Sequence, residues 1–574
     1  MTRVSSALAR ALVCAGLLLA LAPLVNLGSA DERSTSDAPR PAGEGASPAA
    51  ATSSGSGAST GGSSSAATSA ASGASASELS AALAAQLDPI VEATEFKHSH
   101  WGVLVVDQET CRTLYERNAD KLFAPASVTK LFSTAAALDE LGADFQFETP
   151  IYRRGEVDEA GTLDGDLVLA ASGDPNLGGR IDAGGRITYR DVDHTYAGYT
   201  ANAELTAADP LAGLDALAKQ VYESGIREVM GDVLVDDRLF AATAGSGSGP
   251  SKVSPIVVND NVLDFTITPG ELGKAATIDW RPRTSVYMVD AQVTTGPAGS
   301  KTTVSIDEPL SGTITVRGSI PAERKPLLLI HEVEQPASFA RSLLIEALRR
   351  AGVRVEASPL TLNETEKLPR REALAMLKKA AVLKSPPLAD ELKLILKVSH
   401  NQHANMLPLI LAAQAGKRTL VEGLRIERAA LARAGVNVET ISFGDGAGGE
   451  RSDYVTPRAT TELLCAMARR DDFSVYHDAL PVLGVDGTLA AAVSAESPVR
   501  GKVRAKTGTL VWGDLLNERP LLQSKALAGY AETTSGRKVV FAVFVNLVPL
   551  NESGDRERIG RVLGTICEKI YGAL

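Results

Sequence analysis

Three short polar patterns stand in the order Ser127-Val128-Thr129-Lys130, Ser399-His400-Asn401 and Lys506-Thr507-Gly508-Thr509. Together they hold the groups that acyl transfer through a serine would need. A serine hydroxyl is a weak nucleophile until a base takes its proton. On a helix, residues three apart share a face, with β-carbons about 5–6 Å apart, so Lys130 reaches Ser127. A lysine serves as that base if burial and a neighbouring cation hold its amine neutral, and Lys506 is the candidate for the second cation. The Ser127 N–H at the helix start and the amide of Thr509 would face a developing oxyanion. The hydroxyls of Thr507 and Thr509, with Lys506, suit a terminal carboxylate, and Asn401 suits a backbone amide of a peptide. Ser399 is expected to bridge Lys130 and Lys506 and to pass a proton to the leaving amine.

Each pattern alone is weak: a second Ser-x-x-Lys runs from Ser535 to Lys538. Their settings carry the weight. Apolar Val128, Leu131, Phe132, Ala135 and Leu138 recur at helical spacing, so a helix is predicted from Ser127 to Gly142. Ser399 closes a helical stretch whose main pieces are 372–377 and 388–400. Lys506 lies in a predicted strand, 503–511. Two strands at the start, 101–106 and 111–115, and three at the end, 503–511, 526–532 and 538–545, form one antiparallel five-stranded sheet. A final amphipathic helix carries Ile559, Val562, Leu563, Ile566, Ile570 and Tyr571 on one face. Packing on the sheet is the expectation for it, with a membrane surface as the alternative.

The first and second patterns are separated by a strand-rich span, 148–369, punctuated by Gly and Pro. Two helices interrupt it, one starting at Asp209-Pro210 and one at Pro336, each running to a glycine (Gly225, Gly352) and a β-rich run. A third helix ends at Gly435 before Val436–Ile441. Asp164-Gly165-Asp166 reads as a hairpin turn. Residues 245–252 read as a loop, not a phosphate cradle. Asp174 is expected to cap a turn.

The ends say where the chain acts. Arg3 and Arg10 precede or flank the apolar run 11–25, and Gly28-Ser29-Ala30 follows, the three-part pattern of a signal peptide over 1–30. If it stays uncleaved it is a membrane anchor. Residues 31–78 are mostly Ser, Ala, Gly, Thr and Pro, with Glu44 the one charge between Pro41 and Ser77. Such a segment cannot bury enough apolar surface to fold, and reads as a disordered linker reaching about 40 Å. Folded sequence then starts near Glu78, giving a discontinuous catalytic domain over 79–147 and 370–574, and an inserted region over 148–369 holding two accessory domains.

The chain has 574 residues, 44% hydrophobic and 22% charged, with a net charge of -11 and no basic run. That composition supplies packed cores and excludes a nucleic-acid partner. Beyond Cys14 in the signal, Cys111, Cys465 and Cys567 are an odd number, so at least one thiol is unpaired, and small buried hydrophobes is the expectation for them. His400 and His403 sit three apart, but no third ligand is near in sequence, so neither a metal nor another cofactor is expected.

The three patterns resemble the motif set of the penicillin-recognising serine enzymes. With Gly173-Asp174-Pro175-Asn176-Leu177, Asp445-Gly446-Ala447-Gly448, Gly487-Thr488-Leu489 and Ala505-Lys-Thr-Gly-Thr-Leu510, the chain is similar over residues 80 to 574 to the D-alanyl-D-alanine carboxypeptidase/endopeptidase family, the class C low-molecular-mass penicillin-binding proteins. The resemblance implies an α/β, transpeptidase-like domain, with a helical subdomain and extra domains between the first two motifs. It implies Ser127 as acylated nucleophile, Lys130 as base, and Ser399, Asn401, Lys506, Thr507, Gly508 and Thr509 completing the site. Peptidoglycan stem peptides and β-lactams are the implied partners, in the periplasm or cell envelope. No oligomeric state follows. The chain departs from the family at Ala447, where serine is usual, at 490–493, where a basic residue is usual, and after Leu510, where a loop through Leu515 to Ser524 looks long. A β-lactamase is the rival enzyme; no Glu-x-x-Leu-Asn lies between Asn401 and Lys506, as one β-lactamase class would have. A cell-wall binding relative with a vestigial site is the non-enzymatic rival.

Overall fold

The computed structural model describes residues 76–200, 202–552 and 554–574, so the expected signal peptide and all but the last residues of the linker lie outside the described part. A helix over Ala76–Val91 opens it, two residues before the expected start of folded sequence.

The five-stranded sheet has the order Val503–Asp514, Arg519–Glu532, Lys538–Pro549, His100–Asp107, Thr113–Arg117, antiparallel throughout. Side chains alternate across a strand, and His100–Asp107 shows the consequence. Leu104 and Val106 join one core with Val128, Leu131, Phe132, Leu392 and Leu463. Trp101, Val103 and Val105 join another with Leu83, Leu87, Ile559, Leu563 and Ile566. Helices thus cover both faces. The terminal helix, Asp555–Ala573, spends its apolar stripe on this second core, and each such side chain is worth about 1.5–3 kcal/mol when buried. That decides for the sheet over a membrane surface. Among the described residues no helix is long and apolar enough to cross a membrane.

The strand-rich span holds a six-stranded sheet and two three-stranded ones. Its helices are Ala212–Glu223 and Pro336–Arg350. The first begins later than Asp209-Pro210, because the Asp209 carboxylate accepts the Leu211 N–H in a turn that precedes the helix. Gly225, Gly352 and Gly435 all take φ between 85° and 98°, closing their helices in the left-handed region that glycine tolerates.

Five expectations need correction. Residues 378–384 are a strand paired with Glu148–Val157, so the large sheet continues past 369 and breaks the expected helical stretch, of which only Arg371–Leu374 is helical before it. Asp164 and Asp166 lie inside the strand Thr162–Ala170; the turn is at 158–161, where Asp158 accepts the N–H groups of Ala160 and Thr162. The long loop after Leu510 is a hairpin extension, with Val511 paired to Leu522 and Asp514 to Arg519. Val438–Thr440 is a 3-10 turn before the two-residue strand Ile441–Ser442. Cys111 and Cys465 form a disulfide, and only Cys567 is a free, buried thiol.

Candidate active site

The turn that carries Ser127 is a 3-10 helix, Ala126–Thr129, running into the α-helix Lys130–Leu141. Ala126 has φ 47°, a conformation that costs a residue with a β-carbon about 1–2 kcal/mol. Close packing holds it there. A β-carbon at Gly508 would strike Pro125 O, and one at Gly448 would strike Ala126 O. Two glycines therefore let the edge strand and the 445–449 loop press on both sides of the serine turn.

Lys130 is fully buried, and its Nζ lies 2.8 Å from Ser127 Oγ, 2.7 Å from Asn401 Oδ1 and 2.9 Å from Ala447 O. The last two contacts are to acceptors only. They take two N–H bonds and leave the third tetrahedral position aimed at Ser127. When Lys130 is neutral that position is its lone pair. Burial lowers Lys130 to about 7, against the pull of Asp445 and Asp453, which favour its charge. Burial, then, and not the expected charge of Lys506, is what lowers it. Ala447 acts through its carbonyl, so the absence of the usual serine side chain leaves this contact intact. Asp445 fixes that carbonyl by accepting the N–H groups of Ala447, Gly448 and Gly449 at 2.8, 2.6 and 3.1 Å.

Ser399 sits at φ 66° where the helix Leu388–Val398 ends. Lys506 Nζ donates to Ser399 Oγ and to Thr507 O, each at 2.9 Å. No hydrogen bond joins Ser399 to Lys130, so the expected bridge is only half present. Lys506 is fully buried and its ammonium is strongly disfavoured by that burial, then by the charges of Lys130 and Lys525. Thr507 donates to Thr488 Oγ1 at 2.8 Å. Thr509 is exposed, so the site opens on the threonine side.

The strand-rich span contributes walls that the sequence did not reveal. Asn401 Nδ2 donates to Ser248 Oγ at 3.0 Å, in the 245–252 loop, and the hydroxyl of Ser246 donates to Asp445. Tyr196 Oη donates to Ser399 O at 2.8 Å, and Asp191 accepts the Gly487 N–H at 2.7 Å. As expected, Asp174 caps a turn, accepting the Asn176 N–H. Asp260 comes within 4.8 Å of His400 and His403 and would complete a metal triad. The Arg180 guanidinium, however, lies 2.6 Å from Asp260 Oδ2 and 3.3 Å from His400 Nε2, so a cation already serves these groups.

The sequence profile of the D-Ala-D-Ala carboxypeptidase 3 (S13) family matches residues 83–563. The chain belongs to that family. It is 31% identical over 462 residues to the D-alanyl-D-alanine carboxypeptidase of Actinomadura sp. (strain R39), covering 75% of this chain and 76% of that one. It is 25% identical over 469 residues to the D-alanyl-D-alanine carboxypeptidase DacB of Haemophilus influenzae, covering 78% and 85%. The crystal structure of penicillin binding protein 4 (dacB) from Haemophilus influenzae superposes with a TM-score of 0.62 at 21% identity, over 83% of this chain and 98% of that one. The S13 fold thus spans both the five-stranded sheet and the strand-rich region.

Proposed function

We propose that this S13 chain is a serine peptidase that hydrolyses D-alanyl-D-alanine bonds of peptidoglycan, and D-alanyl cross-links that present the same acyl donor, through an acyl-serine.

 The observation that carries the reading is the Lys130 amine, held by two acceptors so that its remaining position faces Ser127 Oγ at 2.8 Å. Lys130 takes the Ser127 proton as Oγ attacks the carbonyl carbon of the penultimate D-alanine. The Ser127 and Thr509 amides face the resulting oxyanion. The C–N bond then breaks, and the proton taken up by Lys130 passes through Ser399, which Lys506 supports from behind, to the leaving amine, so that Lys130 is neutral again. Water, deprotonated by Lys130, releases the acyl group and restores Ser127. Asn401 orients both Lys130 and the bound peptide, and Gly508 keeps the edge strand close enough for the peptide to lie along it. A β-lactam opens on the same serine, its ring amide taking the place of the peptide bond. Residues 1–30 export the chain, and it acts in the cell envelope.

The test is a labelled penicillin followed by denaturing electrophoresis, with the wild type and Ser127→Ala side by side. A stable adduct lost in the variant, together with D-alanine release from a stem peptide, is the expected result. Rapid turnover of the penicillin would point to a β-lactamase instead, and no adduct at any concentration would sink the catalytic reading.

A further inference from the structure

A cavity of about 480 Å³ lies between the helix Leu420–Arg433 and the segment 438–444, where the 445–449 loop begins. None of the residues assigned to the serine site lines it. Its walls are apolar, from Leu424, Leu431, Val438, Ile441 and Phe443, and its size falls in the range of small-molecule sites. One acid stands among them. Glu427 lines the cavity, is 1% exposed, and neither of its carboxyl oxygens has a hydrogen-bond partner in the protein. A buried carboxyl without partners is costly, and a ligand that supplies them removes the cost.

Two further acids act on it. Burial, then the charges of Asp445 and Asp453, raise Glu427 to about 8. Burial, then the charge of Asp445, raise Asp453 to about 8 as well. The oxygens of those two are committed: Asp445 accepts the N–H groups of Ala447, Gly448 and Gly449, and Asp453 those of Gly444 and Glu450 at 2.7 and 2.9 Å. Glu427 alone is open, so one carboxyl group is on offer, which suits an ammonium better than a bare metal ion. The two cations that line the cavity, Arg425 and Arg428, are exposed, and Arg428 is paired with Glu439 at 2.7 Å. The helices packed against this one, Lys130–Leu141 and Asn401–Gln414, bring no charged group to the cavity wall. We propose that this cavity is a binding site for a small apolar primary amine, its ammonium bonded to Glu427 and its hydrocarbon body against Leu424, Leu431 and Phe443. Binding is a proton exchange. The neutral Glu427 carboxyl releases its proton to solvent, and the carboxylate so formed accepts an ammonium N–H. The net charge of the cavity is unchanged, so no uncompensated charge is buried beside Asp445 and Asp453. The site stands apart from the peptidase reading, and neither depends on the other.

The experiment is isothermal titration calorimetry of the full chain with 2-phenylethylamine and with 2-phenylethanol, its neutral isostere, for the wild type and Glu427→Gln. A ligand of this size is expected to bind with a Kd of about 0.1–1 mM. The alcohol is expected to bind the wild type about 10- to 100-fold more weakly, the worth of a charge-assisted hydrogen bond. Glu427→Gln is expected to weaken the amine by about the same factor and the alcohol by no more than about threefold. Titrations at pH 7 in two buffers of different ionisation heat should show about one proton released per amine bound. The amine itself stays protonated well above pH 8, so its affinity should rise about tenfold from pH 7 to pH 9 as Glu427 ionises, and stay flat in Glu427→Gln. Equal affinity for amine and alcohol, no proton released, an amine affinity unmoved by Glu427→Gln, or no saturation by about 10 mM overturns the inference. Should Glu427→Gln not fold, the proton release of the wild type and its pH dependence decide alone.

Discussion

Replacing Asn401 by aspartate tests the base directly. The change is nearly isosteric, and it puts a carboxylate where Asn401 Oδ1 now lies, 2.7 Å from Lys130 Nζ. An opposite charge at such range shifts a pKa by about 1–3 units toward the charged form. Lys130 would move from about 7 to roughly 8–10. At pH 7 its neutral fraction would fall from about one half to between about 9% and about 0.1%, a loss of about 5- to 500-fold in acylation rate. The assay is the initial rate of labelling by a fluorescent penicillin at low concentration, from pH 5 to pH 10. In the wild type the rate should fall about tenfold per unit below pH 7, because a lowered folded-state pKa leaves the amine free above it and protonated below it. In Asn401→Asp the same acid limb should appear at higher pH, and the rate should recover as pH rises through it. A lower plateau with the limb still near pH 7 would mean that only a substrate contact was lost, and that Lys130 is not the titrating base.

Two further outcomes concern the scaffold. Arg180→Met should cost about 3–5 kcal/mol in denaturant unfolding, because it strands the buried carboxylates of Asp193 and Asp260, and a partner change of Asp260 to leucine should recover part of that loss. Reduction of the Cys111–Cys465 bridge should lower the unfolding midpoint by the equivalent of about 2–4 kcal/mol, and Cys111→Ser/Cys465→Ser should make that midpoint insensitive to reductant.

What the sequence made legible was what has a period or a fixed spacing. The short apolar runs 101–106 and 538–545, bounded by turns, marked strands of the central sheet, and the helical spacing from Val128 to Leu138 marked the helix that follows Ser127. The motif side chains converge because each lies on such an element. The missing pieces have no such signal. The acceptor that orients Lys130 at Ala447 is a backbone carbonyl, invisible to residue type. Ser248 and Tyr196 reach the site from loops more than 150 residues away in the chain from the groups they touch. Residues 378–384, Lys-Lys-Ala-Ala-Val-Leu-Lys, suit a helix as well as a strand, and only pairing with Glu148–Val157 decides between them. The Cys111–Cys465 bridge spans 354 residues, and three cysteines offer three pairings that spacing cannot rank.

The ionic cluster behind the second motif explains why the strand-rich region belongs to the site and is not an ornament on it. Asp193, Asp260, Asp264 and Glu391 meet Arg180, Arg281, His194, His400 and His403 there. Burial opposes charge on His194, but Asp264 and Asp193 raise it to about 10. Burial likewise opposes charge on His403, and Glu391 and Asp260 raise it to about 9. Burial and the charge of His403 lower His400 to about 4, so it stays neutral. Four acids then balance two arginines and two histidinium ions. Buried charge is tolerable only when compensated in this way, and the compensation is split across the fold. Glu391, His400 and His403 come from the helices around Ser399, and the rest from the strand-rich span. Neither side could keep its charges buried without the other. Ser399 and Asn401, which flank His400, are therefore set by the docking of the two, and a change deep in the strand-rich span would be felt as a displaced Ser399.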